Sequence, residues 1–426
     1  MGLLFLTIFQ SILGLSILFP ILGPLGRELG LGETQIGAIS TSYALMQLVM
    51  SPWWGKRSET AGRKRILLVG VLGFAAGFGL LGVAVELGRA QRVGAIPLFA
   101  LMIAARLIGG AFSSAMLPTA QAYAADLTTR ENRTAGMAVI GAAFGLAIIF
   151  GPVIGGVVAH FFGLTAPIWL STILGLVNAV LVVVRLPEPA RDPHAASRAP
   201  VILREVARRA WPLLAVAAAS TGASVLMEQT VAFLVEDRLH LAHDETPIWM
   251  GGALFVYGVV AVAVQGGLVR RVKIAPRTLI GIGMPITIAG LVALALAHGY
   301  PVIVLGMALQ GLGQGLVLPG VTTAMSLAVE DGEQGAVAGL NNSAQGTGRL
   351  VAPLLGTALY ELRPEAPYAI SACLLALVLL FVLASPPMRA LARRARDQEK
   401  IHASAASSPI ASAAITGTRP STDPSR

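Results

Sequence analysis

Residues 106–156 read RLIGGAFSSAMLPTAQAYAADLTTRENRTAGMAVIGAAFGLAIIFGPVIGG. Two long apolar segments flank a short polar hairpin, with one arginine deep in the first and a Gly-Pro-x-x-Gly-Gly run in the second. Moving 201 residues along, the pattern recurs without a gap from Met307 to Thr357. Gly110 falls on Gly311, Leu117 and Pro118 on Leu318 and Pro319, Gly145 on Gly346, Pro152 on Pro353, and Gly155 on Gly356. Glycines and prolines matching in register over about fifty residues point to two copies of one membrane unit.

Composition agrees. The 426 residues are 55% hydrophobic and only 12% charged, with mean hydropathy +0.74. Soluble proteins carry roughly 25% charge, so a water-soluble fold is excluded. The net charge of +9 does not indicate a nucleic-acid partner, because the basic residues lie in short loops and a tail between apolar runs. The single cysteine, Cys373, rules out an intramolecular disulfide, and the six histidines are scattered, so no metal or other cofactor is expected.

A bilayer span needs about 20 largely apolar residues. Twelve such segments are expected, near 3–25, 34–54, 66–86, 95–125, 134–160, 164–186, 211–235, 247–269, 278–298, 301–328, 335–361 and 366–385. The first lacks a basic leader and a small-residue cleavage site, so it reads as a span and not a signal peptide. These runs are too long for barrel strands and do not alternate, which requires helices. With both termini cytoplasmic, 24 of the 31 lysines and arginines fall on the cytoplasmic side, fixing orientation in an inner (plasma) membrane. The expected organisation is a six-helix bundle over 1–186, a Pro-rich basic linker over 187–210, a second bundle over 211–385, and a basic tail over 386–426. The start of that tail should lie on the anionic inner surface, with the remainder disordered.

The loop after the second span, GKRSETAGRKR, resembles the Gly-x-x-x-Asp-Arg-x-Gly-Arg-Arg/Lys signature of the major facilitator superfamily. Gly55, Glu59, Gly62, Arg63 and Lys64 occupy matching positions. Arg106 followed by Gly109-Gly110 looks like the superfamily's second motif. Gly151, Pro152, Gly155 and Gly156 look like the core of the helix-5 motif of its drug:proton antiporters, the multidrug and tetracycline efflux type. Glu59 stands in place of the usual aspartate, Thr60 in place of a basic residue, and Ala138 and Ala147 at the motif's outlying glycines. In the second half the loop signature is reduced to Gly267 and Arg271. The resemblance implies an all-α membrane protein with twelve transmembrane helices in two pseudo-symmetric six-helix bundles. It also implies a central cavity lined by helices 1, 4, 7 and 10. A carboxylate at Glu59 would cap the eleventh helix, with Arg63, Asp126 and Arg133 completing an ionic gating latch.

Three charges lie well inside expected spans. Arg106 is about 16 Å deep at 1.5 Å per residue, where a charge costs at least ~3 kcal/mol and needs a cavity and a partner. Glu228 is the carboxylate well inside a span, past the midplane. Alternation between a desolvated setting and a pairing with Arg106 would change how tightly Glu228 holds a proton, making it the candidate coupling group. Arg349, whose repeat counterpart is Ile148, would satisfy carbonyls near Pro353 or bind an anionic group of the substrate. Gln10, Gln310, Gln314, Tyr257 and Asn341 are further lining candidates, Gln310 and Gln314 because they stack at i, i+4.

No Ser/His, paired-carboxylate or metal constellation and no Walker loop occurs, so neither an enzyme nor ATP drive is expected. The expected partners are a small-molecule substrate, protons and the lipid bilayer, with the chain acting as a monomer. The leading expectation is proton-exchanging export of small, largely apolar compounds. Uptake of a metabolite such as a sugar or organic acid stays open, since two buried arginines against one glutamate suit an anionic solute.

Overall fold

The computed structural model describes residues 2–128, 133–188, 203–269, 274–329 and 333–384. Fourteen α-helices account for nearly all of them, and no strand occurs among the described residues. The first bundle contains α1 (Gly2–Ser16), α2 (Phe19–Glu28), α3 (Glu33–Ala61), α4 (Arg63–Arg89), α5 (Ala95–Ser113), α6 (Met116–Asp126), α7 (Arg133–Phe162) and α8 (Ala166–Arg185). The second contains α9 (Leu203–Leu239), α10 (Thr246–Ala263, continued by a π-helical stretch Val264–Val269), α11 (Pro276–Ala295), α12 (Tyr300–Leu327), α13 (Gln334–Leu362) and α14 (Ala366–Ala384).

The pairs α1/α2 and α5/α6 each make one span broken in the middle, giving six spans per bundle. Nine spans among the described residues are long and apolar enough to cross a bilayer; α3, α13 and the shorter α14 complete the twelve. Both breaks have one cause. Pro20 and Pro118 lack the N–H that would bond the carbonyls of Ser16 and Ser114. Each serine hydroxyl then bonds a carbonyl three residues back, Leu13 at 3.1 Å and Ala111 at 2.7 Å, which relaxes the helix at that turn.

Glycine packing displays the internal repeat. A Cβ on Gly110 would lie 2.6 Å from the Tyr43 carbonyl oxygen, and one on Gly311 would collide with the Tyr257 carbonyl oxygen. In both halves, therefore, the fourth span approaches the backbone of the second. The fifth span likewise meets the first of its half: Gly155 abuts Ile17, and Gly356 abuts Leu226. Such close approach is what small residues provide where lipid supplies no hydrophobic drive between helices.

One boundary differs from expectation. Helix α9 begins at Leu203, so residues 203–210 are helical and not linker. Their sequence, LREVARRA, is rich in good helix formers, and Arg209 pairs with Glu333 beside the start of α13 at 2.6 Å. Within the expected linker, residues 189–202 lie outside the described residues, as does the expected tail.

Candidate functional site

The two halves meet along two seams, α3 against α13 and α7 against α10. A Cβ on Gly37 would stand 2.7 Å from the Pro353 carbonyl oxygen, and one on Gly251 would stand 2.8 Å from that of Pro152. The repeat's two matched prolines thus each press a carbonyl against a glycine of the opposite half. Thr41 adds a polar tie: its hydroxyl donates to the Leu350 carbonyl at 3.3 Å and accepts from the Leu354 N–H at 3.2 Å. Ser40 donates to Gln229 at 3.0 Å.

Beyond the seams, the end away from the Lys/Arg-rich loops is closed. Arg27 bonds Glu33 at 2.6 Å in its own half and reaches across to Glu236 at 2.9 Å and Asp237 at 2.6 Å. Its guanidinium also lies 4.8 Å from the Phe233 ring centroid. Tyr360 donates to Asp237 at 2.7 Å, His243 sits 3.1 Å from Glu236, and the Thr34 hydroxyl bonds Glu361 across the halves. Sequence reasoning did not single out this cluster. Its one signal was the run Glu236-Asp237-Arg238 at a helix end. Toward the basic end the seams part: a Cβ on Gly141, Gly145, Gly266, Gly267 or Gly339 would meet nothing within 4 Å.

Within the interior the charges are arranged differently from expectation. Arg106 and Glu228 form no ion pair. Arg106 is 5% exposed and packed inside the first bundle, its guanidinium 4.1 Å from the Tyr43 ring centroid and 5.7 Å from that of Phe78. The aromatic faces stabilise the charge that no carboxylate meets, and its Nε has no hydrogen-bond partner. Tyr43 is held in place by Ser113 at 2.7 Å and by Gln47, which donates to its hydroxyl at 3.2 Å.

Arg349, and not Arg106, is the cation within coulombic range of Glu228, and Tyr257 is within range of Glu228 in turn. Helical geometry bears on their placement. On α13, Gly348 and Gly356 pack on α9, while Leu350, Pro353 and Thr357 face α3. Arg349 falls between those two sides, and its side chain is exposed. On α9, Gln229 bonds α3 and Gly222 and Leu226 pack on α13. Glu228 is half-buried and lies within coulombic range of Tyr257 on α10.

Among the other candidates, Gln310 is 0% exposed and donates to the Thr287 carbonyl of α11 at 2.8 Å, so it joins helices. Gln314 donates to the Ser220 carbonyl of α9 at 3.2 Å. Gln10 and Asn341 each keep a buried amide oxygen without a partner, and so does Gln310. No cluster of His, Cys, Asp or Glu suited to a metal ion occurs among the described residues.

The sequence profile of the Major Facilitator Superfamily matches residues 4–295 and 271–419. The chain belongs to the major facilitator superfamily. It is thus a multi-pass membrane transporter that moves a small-molecule substrate. Multidrug resistance protein 1 of Bacillus subtilis (strain 168) is 24% identical over 381 residues, covering 89% of this chain and 94% of that protein. Quinolone resistance protein NorA of Staphylococcus aureus is 22% identical over 368 residues, covering 85% and 90%. The crystal structure of the human organic anion transporter MFSD10 (TETRAN) aligns with TM-score 0.62 at 20% identity, covering 89% of this chain and 98% of that one.

The superfamily's loop signature joins elements of the first bundle. Gly62 turns the chain between α3 and α4 at φ +100°, a conformation that disfavours a side chain, and Gly55 packs beside Pro118. Arg63 bonds Asp126 at 2.9 Å and Ser58 at 2.6 Å. Glu59 is exposed and bonds no described residue, while the side chain of Arg133 lies outside the described residues. The helix-5 motif, in turn, accommodates the α1/α2 break. A Cβ on Gly151 would collide with the Ser16 hydroxyl, one on Gly155 with the Ile17 carbonyl, and one on Gly156 with the Pro247 carbonyl of α10.

Proposed function

We propose that this chain is a secondary active exporter of the inner (plasma) membrane, with the basic side and both termini in the cytoplasm. It moves small, largely apolar compounds outward in exchange for protons by alternating access, working as a monomer. The observation that carries this reading is the position of Glu228. It is the one carboxylate among the described residues far from a helix end, eleven residues or about 16 Å from the Leu239 end of α9. A carboxylate that exchanges a proton at that depth gives cargo and proton a shared seat. The names of the resistance proteins to which the chain is similar support export.

In the conformation opposite to this one, the far side is open and Glu59 caps the start of α13, with Asp126, Arg63 and Arg133 braced behind it. Arg27, Glu236 and Asp237 then part. The test uses purified protein in vesicles with an imposed pH gradient and ethidium as cargo. Wild-type protein accumulates ethidium against its gradient. Glu228→Gln abolishes the dependence on pH while the protein still inserts and folds. An unchanged pH dependence in that variant removes Glu228 from the coupling role. A second reading, uptake of a small organic acid, draws on the two interior guanidiniums set against one carboxylate. Accumulation of a carboxylate together with protons would favour it.

A further inference from the structure

Resting on that reading of Glu228, the chemistry of the interior narrows the cargo. Glu228 on α9 and Arg349 on α13 stand at similar depths from the same end of two packed helices, within coulombic range of each other. They are nevertheless not in ion-pair contact, and neither side chain makes a hydrogen bond to a described residue. Arg349 lies thirteen residues, about 20 Å, from the Leu362 end of α13, and so near the middle of the membrane. Two opposite charges at such depth, exposed and half-buried, would each be expected to be spent on a partner. Here neither has such a partner among the described residues. Arg106 does not compete for Glu228, because it is stacked on Tyr43 inside the first bundle.

We propose that Glu228 and Arg349 form a two-point seat for zwitterionic amphiphiles, compounds that join an ammonium and a carboxylate to an apolar body. The ammonium takes the Glu228 carboxylate, and the cargo's carboxylate takes the planar fork of Arg349, which suits bidentate recognition. A purely cationic cargo leaves the guanidinium bare, and a purely anionic one leaves Glu228 bare. Only a cargo with both charges satisfies both groups. The scheme also keeps exchange in step: a proton arriving at Glu228 competes with the ammonium and expels one end of the cargo. Tyr257, close enough to feel Glu228, borders the ammonium end.

The test compares three probes sharing one indole body: tryptamine, indole-3-propionate and tryptophan. Each is measured as a competitor of ethidium exchange in vesicles, and as a ligand of the detergent-solubilised protein by calorimetry. The expected result is that tryptophan competes and binds at least tenfold better than either singly charged probe. Arg349→Gln should cut that advantage below twofold, in part by relieving tryptamine of the bare guanidinium, and Arg349→Lys should retain part of it. Equal potency of tryptamine and tryptophan in the wild type overturns the proposal, as does an advantage that survives Arg349→Gln. Failure of the export reading looks different: tryptophan would bind with the expected pattern, yet no pH-driven ethidium exchange would occur.

Discussion

At the scale of single residues, Arg106 shows how this chain keeps a cation inside the membrane without a carboxylate. Tyr43 offers its ring face at 4.1 Å, and Ser113 and Gln47 fix the ring through its hydroxyl. The interaction is worth about 2 kcal/mol when desolvated. Tyr43→Ala is therefore expected to lower the thermal unfolding midpoint in detergent clearly more than Tyr43→Phe, which keeps the face and loses only the hydroxyl. Equal losses would assign the effect to the hydroxyl bonds instead. Burial depth of Arg106 was legible in the sequence, because it depends only on counting along an apolar run. Its partner was not, since the choice between Glu228 and an aromatic face depends on which way α5 is turned, and periodicity on so uniformly apolar a helix does not fix that angle. The same ambiguity hid the nearness of Arg349, and not Arg106, to Glu228.

At the scale of helices, spans and their order followed from hydropathy, but the two breaks did not. Nine spans among the described residues pass on length and composition alone, and a run of apolar residues looks the same whether or not it is interrupted. The discriminating detail is a serine four residues before a proline. Ser16 with Pro20 and Ser114 with Pro118 mark the breaks, whereas Pro52, Pro152, Pro319 and Pro353 follow Leu48, Ile148, Gly315 and Arg349 and lie within unbroken helices. Ser114→Ala is expected to restore much of the helical continuity of the fourth span, seen as slower amide hydrogen exchange around Ala115. The seams carry a second expectation. Gly37→Val would push α3 off Pro353 and Thr357, so ethidium exchange should fall at least tenfold while circular dichroism stays unchanged. Gly339→Ala, which meets nothing, serves as the neutral control.

At the scale of the whole molecule, closure of the end away from the basic loops rests on few groups. Arg27 joins α2 to Glu236 and Asp237 across the halves, its side chain 17% exposed. Charge-assisted bonds of this kind are worth about 2 kcal/mol together after solvent screening, or roughly thirtyfold in the balance between closed and open forms. Arg27→Gln should therefore raise the labelling rate of Ser40→Cys by an impermeant maleimide added from that side. Replacing Cys373, the one native cysteine, with serine makes the readout specific. An unchanged rate would place closure in the helix seams and not in the ion cluster.

The seams themselves are alike but unequal. The repeat places Gly156 where its partner half has Thr357, and only the threonine fills the gap against Gly37, its hydroxyl bonding back to Pro353 at 2.8 Å. One pivot thus sets a side chain against backbone, and the other sets backbone against backbone, with Gly156 directly beside the Pro247 carbonyl of α10. A pair of unequal pivots cannot share a swing evenly: the axis of rotation shifts toward the stiffer one, and the opposite flank sweeps the wider arc.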